Sequence, residues 1–310
     1  MVLHDRGYQR WDGSRETSVP GARVIVEQGV TSSIAKLFKR KLGGLLLVLA
    51  AYGPFLFGLG VLAFTFYVRT NIERFPQAEQ ILQDDLVQGI SPSPSTAWAY
   101  LFRLQSFFVF LLSLIIGMGL IAEDRRSNAL ELYLSRPLRV WQYVLGKLGV
   151  LAFFFAAVTV VPALLLILAE MSFVGFEATR SRELLDLAGR VVLACTLTGG
   201  VLAIMALAVS SLAKRARNAA VLWVGFWMVT AMILEPILEE ATPGSSHFVS
   251  LAFHLQHLGA VILGTTEDYG GRGVVLGSEP LAPTLIVLGI VTFVSTVIVL
   301  RRVRPVEVVA

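Results

Sequence analysis

Leu104-Gln-Ser-Phe-Phe-Val-Phe-Leu-Leu-Ser-Leu-Ile-Ile-Gly-Met-Gly-Leu-Ile-Ala122 runs for nineteen residues without a charged side chain and then meets Glu123-Asp124-Arg125-Arg126. At 1.5 Å per residue, a helix of that length reaches about 28 Å, close to the roughly 30 Å of hydrocarbon in a bilayer. Five further stretches, 42–68, 148–169, 191–213, 218–234 and 280–300, also lack Asp, Glu, Lys and Arg. None alternates polar and apolar residues, which excludes a transmembrane barrel. The expected fold is therefore all-α and polytopic, with six transmembrane helices.

Composition agrees. Of the 310 residues 55% are hydrophobic and 15% charged, with a mean hydropathy of +0.71, against roughly 25% charged in soluble domains. Cys195, the only cysteine, falls inside the fourth run and excludes an intrachain disulfide framework or a multi-cysteine metal cluster. Forty-one residues rich in charge precede the first run, a poor match to a secretory signal, so that run is expected to stay in the protein.

Orientation follows from Lys and Arg. Residues 1–44 hold eight, the connection after run two five, that after run four three and the C-terminal tail three, nineteen of twenty-six in all. Both termini are expected on the cytoplasmic side. Stretch 241–266 is uncharged apart from histidine, but Ser245, Ser246, His247, Ser250, His254, Gln256 and His257 make it costly in lipid. A seventh span there would also carry Arg301, Arg302 and Arg304 to the outside. A re-entrant hairpin of short helices over 238–279 is expected instead.

Ahead of the first run, Ile34, Leu37, Phe38, Lys41 and Leu45 share one helical side and Lys36, Lys39 and Arg40 the other, the pattern of an interfacial amphipathic helix. Residues 1–41 thus read as a tail and amphipathic elbow, and 42–310 as the membrane domain. Between runs one and two, 69–98 is acidic and ends in Ser91-Pro-Ser-Pro-Ser95, a connector and not a domain.

The chain lacks nucleotide-hydrolysis machinery of its own. Its only Gly-Lys pair, Gly146-Lys147, has Trp141 where a phosphate-binding loop needs Gly, and Leu148 where it needs Ser or Thr. Neither a His-Glu-x-x-His helix nor a Gly-x-Ser-x-Gly elbow is present. Nothing points to nucleic acid as a partner. The connection 123–147 reads as two short helices: Leu130, Tyr133 and Leu134 form one apolar face, Pro137 stops it, and Val140, Tyr143 and Val144 form a second face leading into run three. Such a patch among basic neighbours suits the groove of a soluble partner.

An acidic residue closing run two, then Leu130-Glu-Leu-x-Leu-Ser-x-Pro-Leu138 and a Tyr143-Val-Leu-Gly-Lys147 entry to run three, resembles the permease subunit of ABC-2 type ATP-binding cassette transporters. Tyr8-Gln-Arg-Trp-Asp-Gly-Ser-Arg15 is similar to tails of bacterial permeases of that family. The resemblance spans essentially the whole chain. It implies a non-catalytic subunit in the bacterial inner membrane, an efflux function, and partners comprising two cytosolic ATP-binding cassette subunits, a second permease copy and membrane lipid. ATP and Mg²⁺ would be bound by the partner, with no cofactor in this chain. It further implies that Glu123, Ser127, Leu130, Glu131, Tyr133, Leu134, Arg136 and Pro137 form the ATPase-coupling loop. Phe107, Phe108, Phe110, Trp223, Phe226 and Trp227 would line the translocation path at the dimer seam.

Two rival classes remain. An ion-coupled secondary transporter needs buried ionisable groups near mid-membrane, and the six runs have none in their middles. An intramembrane metal-dependent enzyme would have to use His247, His254 and His257, whose rings would need to converge on one ion; polar-face residues of the hairpin are the simpler account, and no metal is expected. Glu235, Glu239 and Glu240 are expected to mark the membrane boundary.

Overall fold

The computed structural model describes residues 21–39, 41–70, 94–129, 139–174, 178–241, 246–265, 267–268 and 275–303. It is helical apart from one two-residue antiparallel pairing, β1 (Glu267–Asp268) with β2 (Val275–Leu276). In chain order the main helices are α1 (Gly21–Phe38), α2 (Lys41–Thr70), α3 (Pro94–Leu112), α4 (Ala122–Arg126), α5 (Val140–Val158), α6 (Val160–Val174), α7 (Ala178–Leu212), α8 (Ala216–Met228), α9 (Glu235–Ala241), α10 (Leu251–Leu263) and α11 (Leu281–Arg302). Among the described residues, five stretches are long and apolar enough to cross a membrane: Leu101–Arg126, Val140–Ser172, Ser181–Leu212, Ala216–Leu238 and Leu281–Arg302. The first expected run lies in α2, 30 residues long with Pro54 inside it.

The breaks within these stretches have local causes. Between α5 and α6, Pro162 has no N–H to offer the carbonyl of Val158, and the chain turns at Thr159, whose hydroxyl donates to the Phe155 carbonyl at 2.8 Å. α3 passes into a π-helical segment, Ser113–Gly117, then a single turn Met118–Leu120 before α4. A second π segment, Val229–Leu234, joins α8 to α9. Its wider turn lies immediately before Pro236, whose ring would collide with the Met232 carbonyl in a regular helix.

α5 and α7 form the centre, where Val150, Leu151, Phe154 and Phe155 meet Ala203, Ala206 and Leu207. Small residues set the approach: a Cβ on Gly117 would lie 3.3 Å from Ala206 and 3.5 Å from Leu151. α1 packs along α5, with Gly29 against Val150. A Cβ on Gly146 would come 2.7 Å from Ile25, and one on Gly149 would come 2.6 Å from Val26. This N-terminal helix, Gly21–Phe38, lies within the expected 1–41 segment and ends before Lys41. The anticipated apolar stripe is thereby split, with Ile34, Leu37 and Phe38 on α1 and Lys41 and Leu45 on α2.

At the opposite end, α7 begins at Ala178, well before the uncharged run at 191, and its extension places Leu184 and Val191 against Leu263 of α10. α10 is buried on nearly every side, yet at 13 residues, about 20 Å, it is too short to span hydrocarbon. Gly264 ends it at φ 70°, donating to the Val261 carbonyl while Thr265 N–H reaches Ala260 at 2.9 Å, a Schellman closure that a β-carbon would strain.

Candidate coupling site

At Ile121 the helical path of α3 changes direction (φ −106°) and leaves backbone groups without helical partners. Ser210 of α7 closes the gap with one hydroxyl. It accepts from the N–H of Ile121 and of Ala122, each at 3.1 Å, and donates to the Met118 carbonyl at 2.9 Å. Ser210 is fully buried, so an open gap there would leave desolvated amides at about 1–3 kcal/mol each.

The next three residues fasten α4 to three neighbours. Glu123 pairs with Lys36 of α1. Asp124 accepts from Lys147 Nζ at 2.6 Å and from the Tyr143 hydroxyl at 2.7 Å. Arg125 Nη1 donates to the Ser211 carbonyl of α7. Tyr143 and Lys147 stand four apart on α5 and so share a face, with the ammonium 5.4 Å from the centre of the phenol ring. The environments of the two acids decide their weight. The Glu123 and Lys36 side chains are 46% and 64% exposed, a surface pair of about 0–1 kcal/mol. Asp124 and Lys147 are 17% and 9% exposed, and removing one partner of so enclosed a pair costs about 3–5 kcal/mol.

Ser127 follows α4 in a turn, its hydroxyl donating to the Glu123 carbonyl at 2.9 Å, and Asn128 takes φ 54°. Ser127 and Asn128, at the start of the helix expected over 127–134, thus lie in a turn. Leu130, Glu131, Tyr133, Leu134, Arg136 and Pro137 lie outside the described residues. The chain returns at Arg139, whose N–H donates to Gln142 Oε1 at 3.0 Å and caps α5. Both roots of the 130–138 segment are therefore tied to one another through Asp124 and Lys147.

The expected path residues separate into two sets. Phe110 of α3 stacks on Trp223 of α8 (centroids 6.1 Å, 17°) and meets Trp227 edge-on at 5.8 Å, while Trp227 also contacts Trp223 at 5.7 Å and Phe226 at 6.0 Å. Phe107 is exposed, its described ring contact being Phe108 at 5.6 Å. The indole N–H groups of Trp223 and Trp227 are buried, with no hydrogen-bond acceptor among the described residues.

The two described histidine side chains are engaged in the fold. His254 bridges the Thr284 hydroxyl (Nδ1, 3.0 Å) and the Phe248 carbonyl (Nε2, 2.8 Å), and His257 Nδ1 accepts from the Gly277 N–H at 3.2 Å. The His257 ring lies parallel to Phe253 at 5.5 Å. Among the described residues no group of three His, Cys, Asp or Glu side chains could hold a metal ion; the side chain of His247 lies outside them. Glu235 is buried at the start of α9, not at a solvated boundary.

Sequence reasoning missed Asp124, Arg125, Tyr143, Lys147, Ser210 and Ser211 as one constellation. The signal within reach was the i, i+4 Tyr143/Lys147 pair facing an acid just past a span; Ser210 and Ser211 carried none, since serine is common in membrane helices.

With these contacts in view, the comparison with known families is decisive: the model for ABC-2 family transporter protein matches residues 25–263, from α1 through α10. The chain belongs to the ABC-2 transporter family. It is a multi-pass membrane protein, the membrane permease of an ABC transporter, and the family implies an ATP-binding cassette subunit as partner. No curated protein matches it. The ABC-2 match contains the whole Asp124 constellation and the aromatic contact between α3 and α8.

Proposed function

We propose that this ABC-2 permease exports an amphiphilic or lipid-linked cargo, driven by ATP hydrolysed in a separate cytosolic subunit that grips the segment 123–147. In this reading α2 is the first of six spans, α1 is the elbow, and the Glu123 end with both chain termini faces the cytoplasm of a bacterial cell. The stretch 238–279, with α10, forms a re-entrant cap on the far side. Two permease copies assemble with two ATPase subunits, which hold the ATP and Mg²⁺. Glu123, Ser127 and the segment 130–137 supply the partner surface, and Phe107, Phe108, Phe110, Trp223, Phe226 and Trp227 supply an apolar path.

The observation that carries the reading is the polar fastening of both roots of this segment, through Asp124 to Lys147 and through Arg125 to Ser211. A passive connector has no need of an enclosed ion pair at its base, whereas a handle that transmits force must not bend there. Co-purification of the chain with the ATP-binding subunit encoded nearest its gene, followed by ATP turnover in proteoliposomes, tests the proposal. Replacing Leu130 and Tyr133 together by Asp is expected to dissociate the partner and reduce turnover about tenfold or more. Unchanged assembly and turnover would remove the coupling role from this segment.

A further inference from the structure

The polar contacts around α4 are distributed unevenly. They join α4 to α1 through Lys36, to α5 through Tyr143 and Lys147, and to α7 through Ser210 and the Ser211 carbonyl. Among the described residues no hydrogen bond or ion pair joins α8 to any of these helices, although α8 packs directly against the turn Met118–Leu120. The seam between α3 and α8 is instead ring on ring, and two buried polar groups there, the indole N–H of Trp223 and of Trp227, have no hydrogen-bond acceptor among the described residues. Hydrogen bonds and ion pairs are lost when helices slide. Ring contacts exchange for other ring contacts of similar energy, and desolvated donors favour an arrangement that gives them acceptors.

The two π segments fall on either side of this seam. On α3 the widened turn starts at Ser113, three residues beyond Phe110 toward the Glu123 end; on the α8 stretch it starts at Val229, two residues beyond Trp227 toward the Glu235 end. Each helix is thus least regular where it leaves the aromatic contact, at the position where helical bending is easiest.

We infer that α1, α4, α5 and α7 with the end of α3 form one rigid unit, locked by Asp124 and Lys147 as positioning residues, and that α8 slides against this unit across the Phe110, Trp223 and Trp227 contact. The inference rests on the permease reading above and adds to it which boundary moves. Force delivered to the segment 130–138 enters the locked unit as a whole, and the path opens at the seam with α8, since the boundaries among α4, α5 and α7 are closed by directional bonds. Trp223 and Trp227 find acceptors, on cargo or backbone, only after the slide.

The test uses the full chain with its ATPase subunit in proteoliposomes, starting from Cys195→Ala, which removes the only cysteine. Gly117→Cys with Ala206→Cys places a disulfide inside the rigid unit, the β-carbon separation of 3.3 Å being close to what the bond needs. Ala219→Cys, paired in turn with Met118→Cys, Gly119→Cys and Leu120→Cys and bridged by a reducible bifunctional reagent, ties α8 to the unit. Each variant's unbridged turnover is its own reference, and reductant must restore it. Oxidising the 117/206 pair is expected to leave ATP turnover within about twofold, while bridging α8 lowers it by about tenfold or more.

In a chain also carrying Asp124→Leu and Lys147→Met, the α8 bridge is expected to lose its effect, because the handle no longer drives the unit. The exchanged pair Asp124→Lys with Lys147→Asp is expected to restore it, which separates positioning from mere support of folding. An α8 bridge that forms without slowing turnover, a 117/206 disulfide that stalls it reversibly, or a lockless chain still stalled by the α8 bridge would each overturn the inference. If no ATP-hydrolysing subunit accompanies the wild-type chain, the permease mechanism fails before any bridge is made, so the two failures are distinct.

Discussion

α7 and α8 are neighbours in sequence, separated by three residues, and both belong to stretches apolar enough to cross a membrane. Yet 61% of an 18-residue apolar window in the first stretch is buried within the chain and only 12% of the corresponding window in the second. Val221, Met228, Met232 and Ile237 are all exposed along the second, whereas Ala203, Ala206 and Leu207 disappear into the first. Apolarity records that a helix lives in hydrocarbon, but side-chain size and the position of a few hydroxyls decide whether its neighbour is protein or lipid. The α7 stretch offers alanines, Gly199 and Gly200, a Ser210 hydroxyl that completes a neighbour's backbone and a Ser211 carbonyl that accepts from Arg125; the α8 stretch offers bulky rings and flexible thioethers, which contact without interlocking.

Breaking the polar lock is the largest expected perturbation of that contrast. Asp124→Leu leaves Lys147 enclosed without its counter-charge and is expected to cost about 3–5 kcal/mol, read as a lower thermal unfolding midpoint in detergent. The double change Asp124→Leu, Lys147→Met removes both charges and is expected to recover most of that loss. Recovery would show that the pair is retained for rigidity more than for stability. Next in size is the seam between α1 and α5. Gly149→Val pushes two methyl groups toward Val26, which already approaches a would-be β-carbon to 2.6 Å, and is expected to cost about 1–3 kcal/mol and loosen α1. Faster limited proteolysis between α1 and α2 is the measurement.

The membrane helices were legible because charge exclusion over twenty residues is a one-dimensional property. The long uncharged runs reappear within the five spanning stretches and α2. Their ends were not legible where polar residues continue a helix, as in the 178–190 extension of α7, where Arg190 pairs with Asp186 one turn away and Leu184 packs in a cluster with Leu263. The packing of α1 was not legible for a related reason: Gly29 is a poor helix former in isolation, and it admits Val150 of a helix more than a hundred residues away. At the site, the composition of the 123–147 segment pointed to its neighbourhood, but proximity to a predicted partner drew attention to Glu123 and away from Asp124. Burial separates these adjacent acids, and no sequence pattern distinguishes an exposed carboxylate from an enclosed one at the same helix end.

The smallest effect is also the most discriminating between the two regions. Trp223→Phe keeps an aromatic ring against Phe110 while deleting a buried indole N–H that has no acceptor among the described residues. Loss of ring area costs stability, and loss of the desolvated donor returns about 1 kcal/mol or more, so the net change is expected to lie within about 1 kcal/mol of zero. The same logic applied to Ser210 has the opposite sign. Ser210→Ala leaves the amides of Ile121 and Ala122 buried and unbonded, and is expected to destabilise by about 1–3 kcal/mol although it removes a single oxygen. Unfolding midpoints of the two variants in one detergent compare them directly. A Trp223→Phe loss as large as that of Ser210→Ala would mean that the indole is bonded in the membrane, and that α8 is held as firmly as α7.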